Sequence, residues 1–303
     1  MIAHNHTHNT MNVHSAFAVG IALNTAYIMI EVIYGLKADS LALLADAGHN
    51  TSDVLSLLVA WGATSMAQKK PTQHRTYGFR RTTILASLVN AIILLIAIGA
   101  VAWEAIQRIS HPQPVVAGVM IWVASVGVLI NAGTALLFLK GRRQDLNIKG
   151  AFLHMAADAG VSGGVVLAGI VMILSSSTLL WIDSMVSLII VAVIAIGTWG
   201  VLRDSVNLAL DAVPKEIDPT KVREYLAQLP GVCAVHDLHI WAMSTTETAL
   251  TVHLVIPTAS IDDSFLGRIQ QDLQNKFAIA HATLQVERGD SVHPCGLDSE
   301  ERV

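Results

Sequence analysis

Apolar residues crowd into six runs, at positions 15–36, 40–67, 83–109, 115–139, 146–174 and 179–202. Each is long enough to cross a bilayer as a helix, which takes ~20 mainly apolar residues. The first, third, fourth and sixth are nearly unbroken. The second is interrupted by "LLADAGHNTSDV" and the fifth by "HMAADAG". Beyond Arg203 the pattern changes. "DAVPKEIDPTKVREYLAQLPGV" is polar, with Asp218 and Pro219 as a helix start signal. "CAVHDLHIWAM" and "TALTVHLVIP" predict short strands, "DDSFLGRIQQDLQNKF" an amphipathic helix, and "ATLQVER" a last strand. The expected fold is an all-α membrane bundle of six transmembrane helices with a C-terminal cytoplasmic α+β domain. Helix–strand–strand–helix–strand is enough for a small two-layer unit.

Composition agrees. The 303 residues are 53% hydrophobic and 14% charged, with a mean hydropathy of +0.54; soluble domains carry about 25% charged residues. A net charge of −4, with no basic patch interleaved with aromatics, argues against a nucleic-acid partner. Cys233 and Cys295 make no disulfide framework. The residues before the first run are rich in His and Asn and hold no Lys or Arg, so no signal peptide is expected. Lys69, Lys70, Arg75, Arg80 and Arg81 follow the second run, and Lys140, Arg142, Arg143 and Lys149 follow the fourth. Lys37 and Arg108 lie near the opposite ends. Positive charge collects on the cytoplasmic side, which puts both termini there. The expected domains are a His-rich cytoplasmic tail (1–14), the membrane domain (15–203), a cytoplasmic regulatory domain (204–290) and a C-terminal tail (291–303).

Carboxylates are costly inside a membrane, about 2.5–3.5 kcal/mol each at the centre of a spanning helix. Asp46, His49 and Asp53 therefore need a reason. His49 and Asp53 are four apart and share one helix face, as do His154 and Asp158 in the fifth run. Measured from the helix entrances, both pairs lie ~12–20 Å deep at 1.5 Å per residue. Both therefore reach the middle third of a hydrocarbon core ~30 Å thick. Two imidazoles and two carboxylates suit a tetrahedral divalent metal, zinc above all. Metal-bound imidazoles usually donate their other N–H to a carboxylate, which assigns Asp46 as a hydrogen-bond partner of His49 or a proton acceptor. Asn24, Glu31, Asn90, Glu104, Asn131 and Asp183 are assigned structural or cavity-lining roles, with Glu31 in an outer cavity and Glu104 and Asp183 near the outer ends. "GVSGG" (160–164) is a small-residue stretch suited to close helix packing or sliding.

Six runs, His-x3-Asp in the second and fifth, and the strings "SLALLADAGHNTSD", "TYGFRR" and "HDLHIWAM" in this order resemble the cation diffusion facilitators, specifically their bacterial zinc-exporting branch. The resemblance covers nearly the whole chain. It implies a homodimeric antiporter of the bacterial inner membrane that exports zinc, and often cadmium, against protons. It implies a ferredoxin-like, metallochaperone-like cytoplasmic domain, no organic cofactor and no enzymatic step. His49, Asp53, His154 and Asp158 become the transport site, and histidine at position 49 goes with zinc and cadmium rather than manganese or iron. His236 and His253 match positions of a regulatory zinc site. Glu287 stands where some relatives place a histidine, and His281, His293 and Cys295 are weaker candidates. On a regular strand His236 points away from Asp237 and His239, so His239 and Trp241 are also readable as ordinary face residues.

The chain departs from the family pattern in two places. No histidine lies between the fourth and fifth runs, and the loop after the second offers only His74 for a further ion. The N-terminal "HNHTHN" is open to two interpretations, a metal collector or a plain tail. An intramembrane metalloprotease is disfavoured because His-Glu-x-x-His is absent. A metal-gated channel or a non-transporting metal sensor remains the alternative to an exporter.

Overall fold

The structure, a computed structural model, describes residues 13–67, 69–138, 146–175, 179, 181–257, 262–289 and 295. Six long helices come first: α1 (Val13–Ala38), α2 (Leu41–Ala67), α3 (Thr82–Ser110), α4 (Ala117–Phe138), α5 (Leu146–Leu174) and α6 (Trp181–Ala209). Then follow α7 (Pro219–Ala227), β1 (Ala234–Ala242), β2 (Thr248–Val255), α8 (Asp263–Phe277) and β3 (Ile279–Glu287). Among the described residues, four segments are long and apolar enough to cross a membrane: Thr82–Ser110, Ala117–Leu136, Met155–Leu174 and Trp181–Ala209. This differs in detail from the sequence pattern. The fifth run qualifies once it is counted from beyond His154, and the first is not among the four. α2 has the length, at 27 residues, but six of its residues between Asp46 and Asp53 are polar or charged.

The chain divides into two compact units, one made of 1–58 and 90–199, the other of 59–89 and 200–303. In the first, α4 and α5 pack along their length. Their close approach depends on Gly169, where a Cβ would come within 2.5 Å of Ile121 Cγ1. The expected small-residue stretch is not that contact, since Gly160, Gly163 and Gly164 face open space. Tyr27, Met120, Val165, Met172 and Ile190 fill the core.

The α1–α2 turn is held by side chains of other helices. Asp39 turns the chain with φ 53°, and Arg108 of α3 donates to its carbonyl and to its carboxylate, both at 2.8 Å. The Arg108 Nε–H binds Glu104 at 2.9 Å. α2 starts without a cap of its own beyond Ser40, because Asp183 of α6 supplies one. Its carboxylate accepts from Ser40 Oγ (2.6 Å), Leu41 N (2.8 Å) and Ala42 N (3.3 Å). These are N–H groups a helix start leaves unsatisfied. Asp183 is thus a buried cap rather than a wet outer residue.

In the second unit, β1 pairs antiparallel with β2, and β2 pairs parallel with β3. A parallel neighbour needs a crossover, and α8 provides it. Asp218 caps α7 and Asp262 caps α8. Leu250, Val252 and Leu254 of β2 pack with Val222, Leu226, Ile269 and Leu273 of the helices. Alternation then turns His253 of β2, and Glu287 of β3, to the opposite face of the sheet.

Replacing Asp183 by Ala should destabilise the protein by about 1–3 kcal/mol, the cost of leaving buried donors unpaired. Asp183→Asn, which keeps an acceptor oxygen, should lose less. Thermal unfolding in detergent measures both.

Candidate metal centres

In the membrane unit, His49 of α2 and Asp158 of α5 meet, with His49 Nε2 3.3 Å from Asp158 Oδ1. Asp158 is buried and His49 half-buried. Asp53 belongs to α2 and His154 to α5, four residues from these partners, but their side chains lie outside the described residues. Asp46 accepts from Ser162 of α5, whose hydroxyl donates to Oδ2 at 2.8 Å. Ser162 lies four residues beyond Asp158, so Asp46–Ser162 and His49–Asp158 form two adjacent rungs between the same helices. Glu31 is fully buried and accepts from Asn50 Nδ2 at 2.9 Å; it does not line an open cavity. Asn131 is also fully buried.

In the second unit, His236, His253, Glu287 and Cys295 place one donor atom each within 4.8 Å of one another. His236 faces His253 in the β1–β2 register, with rings 5.1 Å apart and nearly perpendicular. Glu287 reaches both, at 3.2 Å to His236 Nε2 and 2.9 Å to His253 Nδ1. Cys295 Sγ stands 3.5 Å from His253 Nδ1. Around a tetrahedral zinc, donor atoms stand ~3.3–3.8 Å apart, given Zn–N of ~2.0–2.1 Å and Zn–S of ~2.3 Å. Two nitrogens, an oxygen and a sulfur are donor types such an ion takes, and here they stand within 4.8 Å of one another.

Two features here differ from the sequence-based expectation. A bulge interrupts β1 between His236 and His239, with Asp237 at φ 50°. Alternation therefore fails at Asp237. Its carboxylate contacts His253 Nε2 at 3.4 Å and His239 Nε2 at 2.9 Å, joining the cluster's rim rather than the far face. Cys295, a weak candidate by sequence, joins the cluster although it lies eight residues past β3. His281 shares the face of Glu287 but sits six residues away along β3, ~20 Å at 3.3 Å per residue. It rests instead against the Tyr77 ring, with centroids 5.7 Å apart. His74 is exposed and outside any such cluster among the described residues. His293 and the histidines of "HNHTHN" lie outside the described residues.

Residues 17–208 match the cation efflux transmembrane domain, and residues 214–289 match the cytoplasmic domain of cation efflux proteins. The chain belongs to the cation efflux family, the cation diffusion facilitators. This cation efflux protein is an integral membrane protein of a transporter family, not of a family of catalysts. It is 34% identical over 297 residues to the "Cadmium, cobalt and zinc/H(+)-K(+) antiporter" of Bacillus velezensis, across 96% of this chain and 94% of that one. It is 32% identical over 295 residues to zinc transporter ZitB of Escherichia coli, across 94% and 93%. Among solved structures, the metal-bound C-terminal domain of the CzcD transporter from Cupriavidus metallidurans is similar at 37% identity. That match covers 23% of this chain and 99% of the other, with a TM-score of 0.22.

Burial pushes the Glu287 carboxyl up, but hydrogen bonds from Cys295, Gln285 and His236 outweigh burial and hold it below the ordinary value of 4.5. A carboxyl with a lowered folded-state pKa stabilises the fold fully above its ordinary value, and this is lost as pH falls through the lowered one. Metal-free protein should therefore lose stability below about pH 4.5. In Glu287→Gln that part of the loss should be absent, as thermal unfolding across acid pH will show.

Proposed function

We propose that this protein exports divalent zinc, and cadmium, from the cytoplasm in exchange for protons, by alternating access around a tetrahedral site of His49, Asp53, His154 and Asp158. The approach of His49 to Asp158 at 3.3 Å, between the two helices that carry His-x3-Asp, is the observation that carries it. The relatives named as zinc transporters and as a cadmium, cobalt and zinc antiporter support the choice of cargo. Helices α1 to α6 are taken as six spans, in a membrane domain of 15–203. The basic residues after the second and fourth runs support cytoplasmic termini and a bacterial inner-membrane location. A cytoplasmic domain at 204–290 joins two chains in a homodimer, flanked by tails at 1–14 and 291–303.

Zinc binds deprotonated ligands, so metal and protons compete for the same groups. Facing the cytoplasm, the site takes zinc and releases protons. Facing a more acidic exterior, it takes protons and releases zinc. α2 and α5 carry the ligands as rigid helices, so the site changes sides by rocking, as in other secondary transporters. Zinc held by His236, His253, Glu287 and Cys295 would report the cytoplasmic metal level and bias that rocking equilibrium.

Inverted vesicles should take up radioactive zinc only with a pH gradient, whereas a metal-gated channel would pass zinc without one and a sensor would pass none. His49→Ala and Asp158→Ala should each cut uptake by about 10–100-fold or more. His49→Asp should widen the range of metals toward manganese or iron, read by metal competition. Replacing His236 and His253 should abolish activation by cytoplasmic zinc while leaving transport measurable.

A further inference from the structure

Asp237 lies beside the donor cluster of the second unit without being one of its four donors, and the backbone is shaped to put it there. Three steps along β1, from His236 to His239, match two along β2, from His253 to Thr251. Asp237 sits in this bulge with φ 50°, a left-handed conformation that Asp and Asn tolerate better than most residues with a Cβ. Bulges of this kind re-aim side chains. Val235, Leu238 and Ile240 still pack in the core, while His236 and His239 pair with two residues of one β2 face, His253 and Thr251. On a regular strand, a spacing of three would send these two histidines to opposite faces. The extra residue keeps them together and brings its own carboxylate to the same side.

The Asp237 carboxylate, 12% exposed, uses its two oxygens differently. Oδ1 accepts from His239 Nε2 at 2.9 Å, and Oδ2 stands 3.4 Å from His253 Nε2. The other nitrogen of the His253 ring, Nδ1, faces Glu287 Oε1 at 2.9 Å and Cys295 Sγ at 3.5 Å. One edge of the ring thus looks into the donor cluster and the other toward a carboxylate. An imidazole that binds a metal ion through Nδ1 carries its proton on Nε2. Metal-bound histidines donate that N–H to a carboxylate, a carbonyl or water, which fixes the ring and strengthens it as a ligand. We propose that Asp237 is the positioning residue of this metal centre: it fixes the tautomer and ring orientation in which His253 binds a divalent ion through Nδ1. This rests on the metal site proposed above and names the group that pre-organises it. Asp237 acts through His253 and is not itself a ligand.

Cobalt(II) titrated into purified full-length protein tests this. A thiolate-to-cobalt charge-transfer band reports only a site that includes a cysteine, and the four ligands proposed in the membrane unit carry no sulfur. The wild type should show the band, and Cys295→Ser should lose it. Asp237→Gly removes the carboxylate while suiting the left-handed backbone. It should keep the band but raise the midpoint of the cobalt titration by about 10–100-fold. Asp237→Asn, which keeps an acceptor oxygen without the charge, should fall between the two. Heteronuclear NMR of histidine-labelled, zinc-loaded wild type should show His253 bound through Nδ1 and protonated at Nε2. An unshifted midpoint in Asp237→Gly, or metal on His253 Nε2, overturns the role of Asp237 and leaves the metal site standing. No band in the wild type, or a band that survives Cys295→Ser, overturns the four-donor site and this assignment with it.

Discussion

A polar side chain buried between these helices finds no partner in hydrocarbon and depends on other protein groups. Most of the membrane unit follows from that constraint. Glu31 binds Asn50, Asp46 binds Ser162, His49 meets Asp158, and Asp183 caps the start of α2. Together these ties set α2 against α1, α5 and α6. Sliding α2 by one turn, ~5.4 Å, would break all of them at once. His49 and Asp158, two of the proposed metal ligands, are therefore also residues that fix helix register.

Packing makes room for this in two places. Gly169 lets α5 lie against Ile121 of α4, and Gly127 of α4 leaves the space that the Tyr27 ring fills. A Cβ at position 127 would collide with the Tyr27 hydroxyl and ring. The small residue in α4 thereby sets the position of a tyrosine in α1, which in turn lies beside Glu31. Dispersion contacts of this kind are individually weak and collectively decisive where helices have no hydrophobic drive to associate.

Much of this architecture is legible in the chain itself. Spacing of four between His and Asp puts both on one helix face whatever the surroundings, so the His49 and Asp158 encounter follows from two matched pairs. The order of α7, β1, β2, α8 and β3 follows from period-two and amphipathic patterns bounded by Asp218-Pro219 and by Asp262. Other features leave no local trace. A bulge at Asp237 depends on β1 pairing with β2, and no residue type there announces it. Cys295 lies beyond the last strand, with nothing in its spacing to mark it as a donor. Asp183 reads as a terminal carboxylate until α2 is placed beside it, and Glu31 reads as a cavity residue until Asn50 of α2 is placed against it. Pairings between helices far apart in sequence carry no periodic signature.

The crossover that makes β2 and β3 parallel has a consequence for how the cytoplasmic cluster comes into being. Two of its donors, His236 and His253, lie on a hairpin that the chain makes early in this domain. The others, Glu287 and Cys295, arrive only after α8 has crossed the sheet and β3 has docked. A ribosome-bound or truncated chain stopped short of β3 would present two imidazoles and no complete ligand set. The full donor set therefore depends on α8 and β3 being in place, and the β1–β2 hairpin alone does not assemble it.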